Sequence, residues 1–269
     1  MNSGLWLVAV AAAAMTLEDT VLQPKTAESF ARYAAAVEAR IDSELNAEGP
    51  FITIDRQGAG PSTAARATIR RGEVVIDRPT QRNSSGKEIE IDGGLINHWR
   101  GAVFVPTVSL DALLDNLREP NNDRHKQEDV LRSTVLSRDG DFQKVYLRLK
   151  RSKVITVIYD TEYDVHYRRI SPVRASSKSI STKIVEVENA GTPQERTLPE
   201  GNDHGYVWRM YSYWRYEQLA DGVVIEVESL TLSRPLPPII GALMRPIITH
   251  IARETLERTL ISIRGRFAN

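Results

Sequence analysis

The stretch GYVWRMYSYWRYEQLADGVVIEVESLTLSRPLPPIIGALMRPIITHIARETLERTLISIR, from Gly205 to Arg264, decides the fold. Its first part, Gly205 to Glu217, is rich in aromatic residues and is typical of a β-strand. Asp221-Gly222 is a hairpin signal and predicts a second strand from Val223 to Ser233. After a cluster of prolines, apolar residues recur at helical spacing from Ile239 to Arg264. The stretch therefore predicts an antiparallel hairpin followed by a long amphipathic helix.

Further strands precede this hairpin. Leu95 to Val105 is a strand candidate, and Ser109 is a suitable N-cap for a short helix whose leucines share one face. Strands on both sides of that short helix, followed by the long helix, predict one α+β domain with a sheet packed on helices. The remaining strand candidates are Val130–Leu136, Phe142–Lys150, Val154–Arg168 and Arg174–Glu188.

The N-terminal part of the chain is interpreted as an extension, residues 17–92, of a domain whose core is residues 93–269. Thr26 to Asn46 carries an apolar residue every three to four positions, which predicts an amphipathic helix with Thr26 as its N-cap. Short strands are expected in the rest of the extension: Phe51–Ile54, a hairpin at Ala67–Asp77, and a half-buried strand around Ile89 and Ile91.

Five sequence stretches, taken together and in this order, form a pattern that is more specific than any one of them. They are GGLINHWRGAVFVP at Gly93–Pro106, SLDALLDNL at Ser109–Leu117, GYVWRMYSYWRYE at Gly205–Glu217, VIEVESLTLSRPLP at Val224–Pro237 and RETLERTL at Arg253–Leu260. In this order they resemble bacterial members of the START-like (SRPBCC) superfamily of lipid-transfer domains and polyketide cyclases. The resemblance implies the helix-grip fold, in which a curved antiparallel sheet wraps around a long C-terminal helix. It also implies a cavity between the two, but it does not select a reaction.

The aromatic strand is the leading candidate for the wall of such a cavity. Aromatic side chains with a few polar groups are typical of a small-molecule pocket, and ordinary core packing is the alternative. Because strand side chains alternate, two faces are expected: Trp208, Met210, Trp214 and Tyr216 on one, and Tyr211, Tyr213 and Arg215 on the other. The predicted ligand-binding residues are Trp99, Arg148, Trp208, Tyr211, Tyr213, Arg215, Glu228 and Met244.

Charged residues also lie within strands of buried character. Arg148 lies between two leucines, and Glu226 and Glu228 share a face with Leu230. A charge on an apolar face must be paired or hydrated. One hypothesis is that Arg148 or Arg215 pairs with Glu228 in the cavity and holds the polar head of a ligand. The alternative is that these faces lie on the solvent side.

Composition and spacing narrow the functional classes. Thirty-five basic residues balance thirty-five acidic ones, which argues against a nucleic-acid partner because such proteins need a basic surface. The absence of cysteine removes thiolate ligands and cysteine nucleophiles. No histidines have metal-ligand spacing, so neither a metal nor a cofactor is predicted. His98 is considered as a general base, but no catalytic residue is assigned.

The N-terminal run LWLVAVAAAA, Leu5 to Ala14, is shorter than the roughly 20 residues that span a bilayer. With its small residues it predicts a signal peptide over residues 1–16, although no basic residue precedes it. The protein is then expected to be secreted or periplasmic, and cytoplasmic otherwise. No transmembrane segment is predicted, and Lys150, Arg151 and Lys153 form a basic turn that suits either transient membrane-surface contact or a solvated hairpin tip.

Three functions stay open at this point. The first is non-enzymatic binding or transport of a lipid or other hydrophobic small molecule. The second is a cyclase- or aromatase-like enzyme that uses His98, Tyr213, Arg215 and Glu228. The third is an envelope interaction module whose cavity is filled by its own side chains. The sequence does not distinguish between them, and it does not give the oligomeric state.

Overall fold

A single antiparallel sheet organises the protein, as seen in a computed structural model. The structure describes residues 21–267 apart from 84, 120–126, 153–155, 200–201 and 236–237, and apart from the side chains of residues 238–249. The predicted signal peptide and Lys153 therefore lie outside the described residues.

The sheet contains nine strands among the described residues, in the order β1-β2-β9-β8-β6-β5-β4-β3, with the short β7 paired to β6. The strands are β1 (Val75–Asp77), β2 (Leu95–Pro106), β3 (Val130–Asp139), β4 (Phe142–Ser152), β5 (Thr156–Ser171), β6 (Arg174–Glu188), β7 (Arg196–Thr197), β8 (Arg209–Leu219) and β9 (Gly222–Ser233). The helices are α1 (Pro24–Asn46), a 3-10 helix (Thr53–Arg56), α2 (Ala59–Arg70), α3 (Leu110–Arg118) and α4 (Pro238–Gly265).

The strands predicted from Leu95 onward are confirmed, and so are the short and long helices. The hydroxyl of Ser109 accepts a hydrogen bond from the backbone N–H of Ala112, as expected of an N-cap. The α+β helix-grip architecture predicted for the core is likewise confirmed by the strand order and by the position of α4 described next.

The C-terminal helix lies in the grip of the sheet. Leu260 of α4 packs so closely on β2 that a side chain at Gly101 would meet it at 2.8 Å. Two residues away, Arg258 lies 3.4 Å from Asp129, just ahead of β3. In a flat sheet β2 and β3 would be roughly 29 Å apart, six spacings of about 4.8 Å. Since one turn of α4 reaches both, the sheet must curl around the helix.

We call the side of the sheet that contacts α3 and α4 the grip face. Its apolar core includes Val103, Ile225 and Tyr216 from the sheet, together with Leu113 of α3 and Leu260 of α4. Alternation along the strands places neighbouring residues on the opposite side, which we call the outer face.

The outer face is covered by the N-terminal extension. Phe30, Tyr33 and Val37 of α1 pack on Leu230 and Leu232 of β9. The 3-10 helix and α2 continue this cover over β2, through Ile52, Ile54 and Ile69 against Phe104 and Val224. The extension also contributes β1 to the edge of the sheet.

Part of the prediction for the extension is wrong. Residues 51–54, expected to be a strand, enter the 3-10 helix, and the hairpin expected at Ala67–Asp77 is instead the end of α2 followed by β1. Four alanines in α2 favour helix, whereas the isoleucines of this region are buried by contact with the sheet rather than by pairing in it. Ile89 and Ile91 also pack without forming a strand. The helix α1 begins at Pro24, ahead of Thr26, because proline suits the first helical turn.

The contact between α4 and the sheet can be tested at neighbouring positions of the helix. Leu260 is fully buried, while Ile261 is 51% exposed. Leu260→Ala is expected to lower the free energy of unfolding by about 2–5 kcal/mol, because it leaves a cavity against β2. Ile261→Ala is expected to change it by less than about 0.5 kcal/mol. Urea denaturation measures both, and equal losses would contradict the described orientation of α4.

Candidate functional site

In β2, β8, β9 and residues 174–181 of β6, the charged side chains all lie on one face of the sheet. The side chains on the grip face are the odd-numbered residues of β2 and β9, the even-numbered residues of β8, and residues 175, 177, 179 and 181 of β6. Core contacts place some of them on this face, and the pairing register between the strands places the others. None of these described residues is charged. The outer face of the same strands carries His98, Arg100, Arg174, Lys178, Arg215, Glu217, Glu226 and Glu228.

The middle of the grip face is not fully covered. Trp99, Met210 and Trp214 are only half-buried, although they lie on interior strands of the sheet. On the outer face of the same strands, Tyr213 and Arg215 are 5% and 4% exposed. The sheet is therefore sealed by α1 on one side, and it leaves aromatic and apolar surface accessible on the other.

The aromatic side chains of the grip face are held in place by hydroxyl groups. The indole N–H of Trp214 donates to Ser212 at 2.9 Å. The hydroxyls of Tyr216 and Ser177 lie 3.0 Å apart, and burial raises the pKa of Tyr216 well above its usual value. The rings of Trp214 and Tyr216 are stacked with centroids 6.4 Å apart. These contacts fix a rigid wall of neutral polar and aromatic groups.

A cleft of about 260 Å³ opens beside α3. Leu114, Tyr167 and Ala175, which belong to the grip-face core, contribute to its lining. Asp115 and Arg168 are among the charged residues that line it. The cleft thus brings solvent to one end of the grip face.

A chain of buried hydrogen bonds ties α1 to the outer face. The hydroxyl of Tyr33 lies 2.7 Å from Nδ1 of His98, and Nε2 of His98 lies 2.6 Å from Glu228. Because an ionised carboxylate can only accept, the His98 Nε2–H donates to Glu228. Arg40 of α1 forms an ion pair with the same carboxylate. His98 and Glu228 are both nearly inaccessible to solvent.

A second buried cluster lies beside the first. Arg215 pairs with Glu44 of α1 and donates to the backbone carbonyl of Phe51 at 3.0 Å. Its Nε lies 3.8 Å from Glu226. Glu226 in turn accepts from the backbone N–H of Thr53 at 2.9 Å and from the Thr53 hydroxyl. Each charge of this cluster therefore has a protein partner, as burial of ions requires.

Glu226 and Glu228 have opposite pKa shifts although they are two residues apart. Burial raises the pKa of Glu226, and the charge of Arg215 and the bonds from Thr53 only partly offset this. Burial also acts on Glu228, but the hydrogen bond from His98 and the charge of Arg40 outweigh it and lower its pKa. Glu228 is therefore the carboxylate that the network stabilises in its ionised form.

The predicted site residues divide between the two faces. Trp99 lies at the grip face, as the cavity hypothesis requires. Tyr213, Arg215 and Glu228 lie under α1, together with Tyr211, which packs against Phe30 at 5.1 Å between ring centroids. The side chain of Met244 lies outside the described residues.

Two expectations about these residues are wrong. Arg148 pairs with Asp160 at 2.7 Å and with Glu195, and Arg215 pairs with Glu44, so neither pairs with Glu228. Trp208 precedes β8 and packs in the outer-face core with α1, so it does not share a face with Trp214. The charged faces of β8 and β9 are also not on the solvent side, because α1 covers them.

The serines of the grip face were missed by sequence reasoning. Ser177, Ser179 and Ser181 alternate along β6, and Ser212 and Ser229 lie on the next two strands in the sheet. Alternating serines in a strand are a usable signal because serine is a poor strand former and needs a polar partner. Their signal was weaker than that of the neighbouring aromatic residues and charges.

The comparisons with known proteins agree with the predicted resemblance. No protein-family model and no curated protein matches the sequence. Among solved structures, the chain is similar to a STAR-related lipid transfer protein from Xanthomonas axonopodis, at 19% identity and a TM-score of 0.41, over 64% of this chain and 95% of that one.

Two further structures have comparable similarity. The lipid transfer and protein localization domain of human StarD13 is 11% identical with a TM-score of 0.44, over 77% of this chain and 95% of the domain. An aromatase/cyclase from Streptomyces sp. R1128 is 13% identical with a TM-score of 0.41, over 64% of this chain and 93% of the enzyme. The solved structures to which the chain is similar are thus START-domain and aromatase/cyclase proteins, and the similarity concerns the fold alone.

Two features are absent from the described part of the chain. No helix there is both long enough and apolar enough to cross a bilayer. No group of three or more metal-ligating side chains is gathered there in a way that could hold an ion.

The opposite pKa shifts predict opposite effects of pH in two matched variants. A lowered pKa means that Glu228 stabilises the fold at neutral pH, and that this contribution disappears as pH falls below about 4.5, the ordinary value. Glu228→Gln should therefore be less stable than the native protein at pH 7, with a difference that shrinks in acid. A raised pKa means that ionised Glu226 opposes folding at neutral pH. Relative to the native protein, Glu226→Gln should therefore gain stability as pH rises.

Denaturant unfolding of the native protein and both variants between pH 3 and pH 7 measures these trends. If the two variants had the same pH dependence relative to the native protein, the assignment of Glu228 as the stabilised carboxylate would be wrong.

Proposed function

We propose that the protein binds or carries a hydrophobic small molecule, such as a lipid, between the grip face and α4, without changing it chemically. The observation behind this proposal is the half-buried, uncharged surface of Trp99, Met210 and Trp214 at the middle of a concave sheet. Sites for small molecules are concave and mostly apolar, with a few placed polar groups. The fold, which is shared with lipid-transfer domains, is compatible with this reading.

The energetics of such a site need no catalytic motif. Each methylene group removed from water contributes about 0.8 kcal/mol. A chain of moderate length could therefore bind through contact area alone, with aromatic side chains as its walls. Met244 remains a predicted ligand contact on α4, because its helix lies over this face.

The position of the acid–base candidates favours binding over catalysis by those residues. His98 and Glu228 are bonded to each other and lie on the outer face, beneath Tyr33 and Arg40. Tyr213 donates to Glu38 of α1 at 2.9 Å, and Arg215 is bonded to Glu44. A general acid or base must reach the proton that it transfers. These groups are separated from the grip face by the sheet itself.

Ligand contact stays a prediction for five residues of the aromatic strand and its neighbour, namely Trp208, Tyr211, Tyr213, Arg215 and Glu228. A ligand could reach them only by displacing α1. Membrane-surface contact through Lys150 and Arg151 likewise stays a prediction. Arg151 lies 3.6 Å from Asp129, so part of its charge is already compensated.

Native mass spectrometry of gently purified protein tests the proposed function. A stoichiometric mass increment that is released as an apolar compound on denaturation is expected. Lipid analysis of the released material then identifies its class. Protein that is empty after purification, and that also takes up no neutral apolar probe in solution, would contradict a binding function and favour an interaction module with a filled cavity.

Substitutions on opposite faces of β8 locate the site. Trp214→Ala removes a large half-buried aromatic side chain of the grip face and is expected to weaken binding of the retained ligand about tenfold or more. Tyr213→Phe, the neighbouring residue, alters only the outer face and should leave binding unchanged. Competition with N-phenyl-1-naphthylamine, a neutral fluorescent probe, measures both affinities. A larger effect of Tyr213→Phe would instead place the ligand under α1.

A further inference from the structure

We infer that the ligand is a neutral, elongated molecule with oxygen atoms along one edge. These oxygens form hydrogen bonds with a row of polar groups made of Ser179, Ser212, Ser229 and Trp99. We call this set the serine row. The inference rests on the proposed function and deepens it, since it names the chemical class of the ligand and the direction in which the ligand lies.

The serine row is built by strand register. Ser179 of β6 is paired with Ser212 of β8. Ser212 is paired with Ser229 of β9, and Ser229 is paired with Trp99 of β2. Because directly paired residues point to the same side of a sheet, all four side chains lie side by side on the grip face. At about 4.8 Å per strand, the row crosses the sheet over roughly 14 Å.

The polar groups of the row are largely without partners. The indole nitrogen of Trp99 is buried and has no hydrogen-bond partner. Among the described residues, the hydroxyls of Ser179 and Ser229 neither donate to nor accept from another group. Ser212 accepts from Trp214, which leaves its own O–H free to donate.

The buried, unpaired N–H of Trp99 is unfavourable for the protein alone, and the hydroxyls of the half-buried Ser179 and Ser229 become unfavourable in the same way when a ligand covers them. A polar group removed from water without a partner costs free energy, so interior polar groups in native proteins are nearly always hydrogen-bonded. Valine or alanine would pack a concave strand face better than serine. The partners of the serine row are therefore expected on a bound molecule, and the Trp99 N–H, which can only donate, requires an acceptor oxygen there.

The strands that carry the row offer no counter-ion to an ionised head group. No described residue of the grip face on β2, β9, β8 or residues 175–181 of β6 is charged. A carboxylate or phosphate placed over the three serines would lose hydration without gaining a counter-ion from these strands. Arg100 and Arg215 point to the outer face and are paired with Asp77 and Glu44. Arg78 lies at the β2 end of the row, over the Trp99 ring and 5.9 Å from its centroid. Hydroxyl or carbonyl oxygens meet the requirement instead.

The apolar part of the ligand is expected beside the row. The adjacent row on the same face is Ser177, Trp214, Val227 and Gly101 in register. Of these, the half-buried Trp214 offers apolar surface parallel to the hydroxyls, whereas Val227 is only 1% exposed and already belongs to the core. A molecule with one oxygenated edge and one apolar edge would satisfy both rows at once when it lies across the strands.

Two probes with the same alkyl chain test this inference. Glycerol monododecanoate is neutral and carries several oxygens, whereas dodecanoate is a carboxylate. Both are used as competitors of N-phenyl-1-naphthylamine on the full-length protein at neutral pH. The native protein is expected to prefer the neutral ester at least tenfold. The double variant Ser179→Ala, Ser229→Ala should lose about tenfold in affinity for the ester, as two hydrogen bonds imply, and should bind the fluorescent probe within twofold of the native protein.

Ser176→Ala provides the matched control. Ser176 lies on the same strand, β6, but on the outer face, in register with Arg215, and its substitution should leave both affinities unchanged. Two results would overturn the inference and leave the proposed function standing, provided that the fluorescent probe still binds. One is a double variant that keeps its affinity for the ester, and the other is a native protein that prefers dodecanoate. Absence of any probe binding by the native protein would overturn both.

Discussion

The constraint on which the rest of the structure depends is that every charge within β2, β8, β9 and residues 174–181 of β6 lies on one face of the sheet. His98, Arg215, Glu226 and Glu228 are 2–4% exposed, so they need protein partners. Those partners come from α1 and the segment after it, namely Arg40, Glu44, Tyr33 and Thr53. Without these contacts from the N-terminal extension, the outer face would expose both an apolar surface and a set of unpaired charges. The grip face of these same strands has no charges to neutralise, and it is left to α3, α4 and whatever binds there.

The network beneath α1 fixes the position of the helix more than it adds to stability. Buried ion pairs recover little net free energy, because desolvation opposes the attraction between the charges, but breaking one partner of such a pair is costly. The apolar residues Phe30, Tyr33 and Val37 supply most of the attraction between α1 and the sheet. The bonds from Arg40 and Tyr33 to the Glu228–His98 pair then select one register of the helix on the strands.

The sequence predicted the core of the fold well because local signals and tertiary contacts agree there. The Asp221-Gly222 turn, the Ser109 cap and the period of α4 each specify the element that forms. The secondary structure of the extension was harder to predict. Ile52 and Ile54 are apolar because they pack on the sheet, and an apolar alternation of this kind resembles a strand in the sequence. The candidate site was the least predictable part. Alternation correctly separated Tyr213 and Arg215 from Trp214, but it could not say which face would meet α4 and which would be covered by a helix 170 residues earlier in the chain.

The alternation of side chains along each strand explains how the two faces of one sheet can have different roles, with substitutions on one face having little effect on the other. Glu228 and Ser229 are adjacent in the chain, yet the first is bonded to His98 and Arg40 while the second belongs to the serine row. A substitution at one position changes the attachment of α1, and a substitution at the next changes the surface that faces a ligand. The grip face can therefore vary in its hydroxyl and aromatic residues while the outer face preserves the fold.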